Sequence, residues 1–137
     1  MVDVIRTAVT QPLMPEEGRF VRVMSLQKSK GLTSKVVLVA SCVEGIMPVA
    51  KEDEPLAEQA EILKEQRRLF YVAITRPTEV LVLSSFASIP RALARHTGVQ
   101  TQGRWGNSTR TSRFIQELGP TLPAMKTGTA WQQGTYS

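Results

Sequence analysis

Three short hydrophobic runs along the chain indicate β-strands. Residues 20–26 alternate apolar and polar side chains, whereas residues 35–43 are almost continuously apolar and β-branched. A third run covers residues 79–86 and lies between Pro77 and Pro90. A strand without a polar face is typical of a parallel sheet that is covered on both sides. We therefore expect residues 35–43 to be a buried strand.

The strongest helix signal covers residues 54–75. Apolar side chains recur there at spacings of three, four and seven residues, so one helix face is expected to pack on the sheet. This apolar stripe consists of Leu56, Ala60, Leu63, Phe70 and Ile74. Two surface ion pairs at i,i+3 are expected, namely Glu61 with Lys64 and Glu65 with Arg68. The helix must end near Arg76, because the residue before Pro77 is disfavoured in the α conformation. Arg76 is therefore predicted to lie at a helix-to-strand corner.

The regular pattern is weaker towards both ends of the chain. Residues 1–19 contain two prolines and a glycine and are expected to be a lead-in segment. Residues 90–96 and 112–118 each predict a short helix, and residues 97–110 predict a flexible loop between them. Residues 119–137 are rich in Gly, Thr, Gln and Pro, so they are expected to form a disordered tail.

The order of these elements predicts the fold class. The predicted order is strand, basic turn, strand, long helix and strand. This order is typical of an α/β domain with a small, mostly parallel sheet flanked by helices. Three strands make a thin sheet, and its open edge favours a partner. Residues 20–118 are therefore expected to form part of a larger domain.

The composition of the chain indicates its size class and excludes several kinds of protein. The chain has 137 residues, 42% of them hydrophobic, which is enough for roughly one domain of about 100–200 residues. The single cysteine, Cys42, excludes an internal disulfide and, without a signal-peptide pattern, favours a cytoplasmic location. The longest apolar run is shorter than the ~20 residues that cross a bilayer, so no membrane partner is expected. With one histidine and one cysteine, no metal site is predicted.

Basic residues occur at positions where they can meet an anion. The formal net charge is +5, and residues 76–137 carry seven basic against two acidic side chains. Lys28-Ser29-Lys30-Gly31 lies between the first two predicted strands, where glycine lets backbone amides approach a phosphate. Arg76 at its corner is able to reach a phosphate across an interface. These features fit a nucleotide or nucleic-acid ligand, and they also fit a solvated basic surface.

Four collinear segments are more specific than any of these features alone. They are VRVMSLQKSKGL at 21–32, VEGIMP at 43–48, KEQRRLFYVAITRP at 64–77 and SRFIQEL at 112–118. Together they resemble the last conserved motifs of the UvrD/Rep-like superfamily 1 DNA helicases. In that family two RecA-like domains enclose ATP, and single-stranded nucleic acid crosses them. The resemblance implies that residues 20–118 are the C-terminal half of the second RecA-like domain.

The resemblance also implies roles for individual residues. Arg76 corresponds to the arginine finger that stabilises charge on the γ-phosphate, and Gly31 offers a backbone amide near the same phosphate. Thr33 stands where the family has a glutamate that reaches the nucleotide sugar. The candidates for nucleic-acid contact are Ser25, Gln27, Lys28 and Lys30. Gln27 and Thr33 depart from the family pattern, as do Ser34 and Gln66, so weaker nucleotide affinity is expected.

The implied function is that of the C-terminal, motor-completing part of an ATP-dependent DNA helicase. ATP and Mg²⁺ are expected to bind only together with an N-terminal helicase half, supplied in cis or in trans, and single-stranded DNA is the expected substrate. No G-x-x-x-x-G-K-[ST] loop occurs in the sequence, so the isolated chain is expected to be inactive as an ATPase. The alternative is a non-catalytic nucleic-acid-binding or assembly module derived from the same fold.

Overall fold

The protein has a mixed α/β fold, which confirms the predicted fold class. A computed structural model describes residues 20–104 and 107–133. The strands are β1 (Ser34–Val39), β2 (Pro77–Leu83), β3 (Thr101–Gln102) and β4 (Ser108–Thr109). The helices are α1 (Leu56–Ile74), α2 (Arg91–Thr97), α3 (Arg113–Glu117) and α4 (Gly128–Gln132), with a 3-10 turn at Gln27–Ser29. None of the helices in these two ranges is long and apolar enough to cross a membrane.

The main sheet is a parallel pair of strands connected by α1. Ser34 lies opposite Pro77, Val36 opposite Val80 and Leu38 opposite Val82. A parallel pair needs a long crossover, and α1 provides it by carrying the chain back to the edge where β1 began. The predicted helix and the predicted helix-to-strand corner are both present, since α1 ends at Ile74 and β2 begins at Pro77.

The hydrophobic core lies between this sheet, α1 and α3. Phe70 of α1 and Phe114 of α3 are almost fully buried, and their ring centroids are 5.4 Å apart with an interplanar angle of 35°. Tilted aromatic pairs at this separation are favourable beyond the area that they bury. The other buried members of this cluster are Val39, Cys42 and Ala73. A second cluster below α2 consists of Val43, Ile89, Ala94 and Val99.

The prediction that residues 35–43 form a strand covered on both faces is wrong. Val36 and Leu38 are 55% and 57% exposed, and Val80 beside them on β2 is 46% exposed. The alternate side chains, including Val39, point to the core, because α1 and α3 pack on that face. The described residues therefore leave one apolar sheet face open. The burial expected for residues 40–43 does hold at Cys42 and Val43, which follow the strand.

The strand predicted for residues 20–26 is also absent. Val21 and Val23 are 92% and 93% exposed, and no described strand pairs with them. Alternation alone does not make a strand, because its backbone N–H and C=O groups need a neighbouring strand. Residues 1–19, predicted to be a lead-in segment, lie outside the described residues.

The C-terminal third contains more regular structure than its composition predicts. In the segment predicted to be a flexible loop, β3 and β4 form a two-residue antiparallel pair, and backbone bonds from Ile89 to Asn107 and from Thr109 to Ala87 attach it to the chain after β2. Short helix α4 lies in the segment predicted to be a disordered tail, where the Thr127 side chain accepts a hydrogen bond from Ala130 N–H at 3.3 Å. Side-chain capping of this kind favours a helix start.

Cys42 is expected to be chemically inert in the folded chain. It is fully buried, and burial raises the pKa of its thiol to about 11, although a backbone hydrogen bond with Ser84 opposes the shift. Since the thiolate is the reactive species, a thiol-specific reagent at about pH 8 should leave the native chain unmodified and label it after denaturation. Mass spectrometry of both samples measures this. Labelling of the native chain as fast as that of the denatured chain would contradict the buried position.

Candidate nucleotide-phosphate site

The two predicted phosphate-binding segments meet at one edge of the main sheet. The backbone N–H of Ser34 donates to the carbonyl oxygen of Arg76 at 3.2 Å, and Ser34 is paired with Pro77. Because parallel strands begin at the same edge, the turn before β1 lies beside the helix end before β2. The fold thus brings together two segments that are far apart in sequence.

The turn before β1 has a defined backbone conformation. Lys28 N–H donates to Ser25 O at 3.1 Å, and Leu32 N–H donates to Ser29 O at 3.1 Å. Between these bonds, Gly31 has φ +81°, in the left-handed region that side-chain-bearing residues rarely adopt. Space around Gly31 is open, so its backbone conformation, not crowding, requires glycine.

The basic side chains of this turn are exposed. Lys28 and Lys30 form no ion pair with any carboxylate in the described part of the chain. By contrast, Lys35 on β1 pairs with Glu79 on β2 at 3.0 Å. The two lysines of the turn therefore carry charge that is available to an anion.

Arg76 is partly buried and oriented by the end of α1. Its Nε donates to Val72 O at 2.9 Å, and its Nη2 donates to Thr75 Oγ1 at 3.1 Å. No described carboxylate forms an ion pair with Arg76. Two of the guanidinium nitrogens are thus held by helix α1, while the positive charge has no counter-ion among residues 20–104 and 107–133.

The remaining candidates belong to the same turn. Gln27 is the first residue of the 3-10 turn, and Ser25 lies two residues before it. Thr33 is exposed and lies immediately before β1. The residues assigned from the sequence are Ser25, Gln27, Lys28, Lys30, Gly31, Thr33 and Arg76, and all lie in the turn before β1 or at the end of α1. Their ligand-binding roles stay predictions. The described residues contain no group of acidic, His or Cys side chains that holds a metal ion.

Sequence reasoning missed the partner of Arg67. Glu61–Lys64 and Glu65–Arg68 form the expected surface pairs, at 3.5 Å and 3.6 Å. Arg67 instead makes two contacts with Glu117 of α3, Nε to Oε2 at 2.7 Å and Nη2 to Oε1 at 2.9 Å. These hydrogen bonds raise the pKa of Arg67 and lower that of Glu117.

A second ion pair attaches α3 to the segment after β1. Glu44 is buried, and its carboxylate accepts hydrogen bonds from Arg113 N at 2.6 Å and from Arg113 Nη2 at 2.8 Å. The contact with Glu44 raises the pKa of the Arg113 guanidinium. Gly45 follows with φ +93°, and a Cβ there would lie 2.7 Å from the backbone nitrogen of Gln100. The Glu-Gly pair in VEGIMP thus has a structural explanation.

The SRFIQEL segment has a similar explanation. Ser112 Oγ accepts a hydrogen bond from Phe114 N–H at 3.2 Å and caps α3, while Phe114 fills the core. Arg113 and Glu117 each form an ion pair with another element. The only sequence signal for these pairs was the i,i+4 spacing of Arg113 and Glu117 on a short predicted helix. This spacing does not identify the residues with which they pair.

Gln66 also has a defined contact. Its Oε1 accepts a hydrogen bond from Val49 N–H at 2.6 Å, and its Nε2 donates to Val49 O at 3.3 Å. An amide serves both backbone groups, whereas a carboxylate only accepts hydrogen bonds. The residue that replaces the usual acid therefore stabilises the loop before α1.

The chain is similar in sequence to several known DNA helicases. Residues 10–88 match the profile of the UvrD-like helicase C-terminal domain, which covers the turn before β1 as well as α1 and β2. The chain belongs to this family. With the ATP-dependent DNA helicase PcrA of Leuconostoc citreum it is 37% identical over 110 residues, which are 78% of the chain and 12% of that protein.

Other helicases of the UvrD-like family show similar identity. The chain is 36% identical over 115 residues to the ATP-dependent DNA helicase UvrD1 of Mycobacterium leprae, covering 82% of the chain and 13% of the relative. It is 30% identical over 122 residues to the ATP-dependent DNA helicase Rep of Buchnera aphidicola, covering 86% and 16%. The chain thus spans between 12% and 16% of the length of these three relatives.

The Arg67–Glu117 pair of this UvrD-like domain should stabilise it in a pH-dependent manner. Because the folded-state pKa of Glu117 is lowered, its contribution is complete above the unfolded value of about 4.3 and is lost as pH falls through the folded value. We expect Glu117→Gln to lower the melting temperature by a small amount at about pH 7, since the pair is partly exposed, with the difference shrinking towards about pH 3. Thermal unfolding of both proteins across this range measures it. A difference that stays constant with pH would contradict the ion pair.

Proposed function

We propose that this chain is the distal part of the second RecA-like domain of an ATP-dependent DNA helicase. One observation carries the proposal: the turn with Lys30 and Gly31 lies beside Arg76 at the end of α1. The two segments are joined by the hydrogen bond from Ser34 N–H to Arg76 O. Membership of the UvrD-like family and the similarity to ATP-dependent DNA helicases support the same function.

Arg76 is proposed to stabilise the γ-phosphate of ATP during hydrolysis. A guanidinium keeps its charge at all relevant pH values and presents a planar set of donors that matches phosphate oxygens. Val72 O and Thr75 Oγ1 orient the guanidinium, and its charge has no described counter-ion. The Gly31 amide is a further donor for the same phosphate. Thr33 is too short to reach the nucleotide sugar directly, so sugar binding is expected to be weak.

Single-stranded DNA is the proposed substrate of the assembled motor. The exposed ammonium groups of Lys28 and Lys30 are suited to backbone phosphates, and the neighbouring Ser25 and Gln27 offer neutral polar groups. Contacts of this kind position a strand without reading its sequence.

An N-terminal helicase half, in cis or in trans, is the proposed partner that binds ATP and Mg²⁺. The sequence contains no phosphate loop, so the β- and γ-phosphates need donors from elsewhere. The open apolar face formed by Val36, Leu38 and Val80 supports this partner. Apolar sheet faces are unfavourable in water unless another element covers them.

A non-catalytic nucleic-acid-binding or assembly module is the second candidate. The replacements at Gln27 and Thr33 favour it, because both stand where the family pattern has residues that contact ligands. The arrangement around Arg76 favours the motor. Measurement of ATP turnover separates the two functions.

Arg76→Ala should abolish most ATP turnover in a complete helicase that contains this chain. An arginine that stabilises transition-state charge contributes roughly 10³ to 10⁵ to the rate, so kcat should fall within this range while nucleotide affinity changes much less. Arg76→Lys should restore only part of the activity, since ammonium lacks the planar fork. DNA-stimulated phosphate release measures kcat, and Arg68→Ala on the same helix is the control.

Unchanged turnover in Arg76→Ala would contradict the motor function and favour the module. The 137-residue chain alone should show no Mg²⁺-dependent hydrolysis, because it lacks a phosphate loop. Hydrolysis by the isolated chain that is lost in Arg76→Ala would show that the division of the site between two halves is wrong.

Single-stranded DNA should bind the chain weakly and with a strong dependence on salt. Each neutralised phosphate on a single strand contributes about −0.7 to the slope of log K against log salt, so the double variant Lys28→Gln/Lys30→Gln should reduce the slope by about 1.4. Fluorescence anisotropy with a labelled oligonucleotide between low and moderate salt measures this slope. Lys51→Gln, on the loop before α1, is the control. An unchanged slope in the double variant would exclude the turn from the DNA site.

A further inference from the structure

Helix α3 contacts α1, which leads to Arg76, and the segment that follows β1, which is continuous with the turn before β1. Arg113 binds Glu44, which follows β1, and Glu117 binds Arg67 on α1. Arg113 and Glu117 are four residues apart, so they lie on the same side of one helical turn. These four side chains form an alternating series of acid and base, which we call the α3 charge series: Glu44, Arg113, Glu117 and Arg67.

The contacts of the α3 charge series are directional. Arg67 meets Glu117 through two parallel hydrogen bonds, and its guanidinium lies over the Phe114 ring with 5.7 Å between Cζ and the ring centroid. A bidentate pair with a stacked guanidinium fixes the angle as well as the distance between two elements. Because the Arg67 and Glu117 side chains are 46% and 41% exposed, the pair contributes little to stability. Its principal effect is to fix the orientation of α3 relative to α1.

Helix α1 connects this geometry to the candidate site. Arg67 precedes Ile74, the last residue of α1, by seven residues, which is about 10 Å along a helix that rises 1.5 Å per residue, and Arg76 follows two residues later. Phe70 lies between them and is held by Phe114. Glu44 is connected through β1 to the turn that contains Gly31. Helix α3 therefore contacts the helix that ends two residues before Arg76 and the segment that continues, through β1, from the turn beside Arg76.

We propose that α3 is a positioning element, and that Arg67 and Glu117 are positioning residues that keep Arg76 beside Gly31. This inference rests on the proposed function of Arg76. Arg67 itself is not proposed as a phosphate ligand, because the Glu117 carboxylate neutralises its charge, whereas Arg76 has no counter-ion among the described residues. A small displacement of a catalytic group is costly even when its cause lies far from the reacting atoms.

Amide hydrogen exchange on the 137-residue chain tests whether α3 restrains the end of α1. Loss of a restraining surface pair should speed local opening about fivefold, so Glu117→Gln should increase exchange at Arg76 N–H and Ser34 N–H by that factor. These amides donate to Ala73 O and Arg76 O. Glu65→Gln, which removes a surface pair on the same helix, should leave both rates unchanged. Equal rates in wild type and Glu117→Gln would overturn the proposal.

Turnover in the complete helicase tests the consequence for catalysis. Arg67→Gln and Glu117→Gln should each lower kcat for ATP about tenfold with little change in KM, because binding is kept and orientation is lost. The double variant should be no worse than Arg67→Gln alone, since both lack the Arg67–Glu117 pair and the contact of Arg67 with the Phe114 ring. Arg68→Gln is the matched control for the loss of a helix-surface charge.

The outcomes separate the positioning role from the proposed function. If Arg76→Ala lowers turnover but the Arg67 and Glu117 variants do not, the positioning role is wrong and the proposed function stands. Additive losses in the double variant would also overturn it, because they would show that Glu117 and Arg67 act independently of each other. If Arg76→Ala leaves turnover unchanged, the proposed function fails and the catalytic part of this inference fails with it.

Discussion

The parallel pairing of β1 with β2 is the constraint on which the rest of the structure depends. It aligns Ser34 with Pro77 and so places the turn containing Gly31 beside Arg76. The proposed phosphate site needs both segments, because one offers backbone amides and lysines and the other a single guanidinium. Helix α1 makes this pairing possible, since parallel neighbours require a crossover between them. The order of the motifs along the chain therefore follows from the topology of one βαβ unit.

Local features of the sequence predicted the elements of this unit. The apolar spacing around Phe70 and the proline at Pro77 predicted α1 and its end, and the β-branched run predicted β1. The position of Arg76 at the corner followed from the same signals. The pairs of Glu61 and Glu65 were predictable because i,i+3 neighbours on a helix lie close regardless of the rest of the fold. For the candidate site, these signals predicted where Arg76 lies, whereas its role came from a family resemblance.

Features that depend on distant parts of the chain were not predictable in this way. Arg67 has no acidic residue three or four positions away in the sequence, and it pairs with Glu117 on another helix because packing of Phe114 brings that helix close. The exposure of the sheet face at Val36 was not predictable for a similar reason. Its hydrophobicity indicates that something covers it, but α1 and α3 are both on the other side of the sheet. A local sequence pattern indicates that a charged residue needs a partner or that an apolar face needs a cover, but it does not identify the distant residues that provide them.

The pairing of β1 with β2 is tested most directly by nuclear Overhauser contacts in the isotopically labelled 137-residue chain. The account predicts contacts between the backbones of Ser34 and Pro77, and between Leu38 and Val82, in the pattern of a parallel pair, with slow exchange of Ser34 N–H. An antiparallel pattern, or no contacts between these strands in a folded sample, would contradict the account, because Gly31 and Arg76 would then not share an edge.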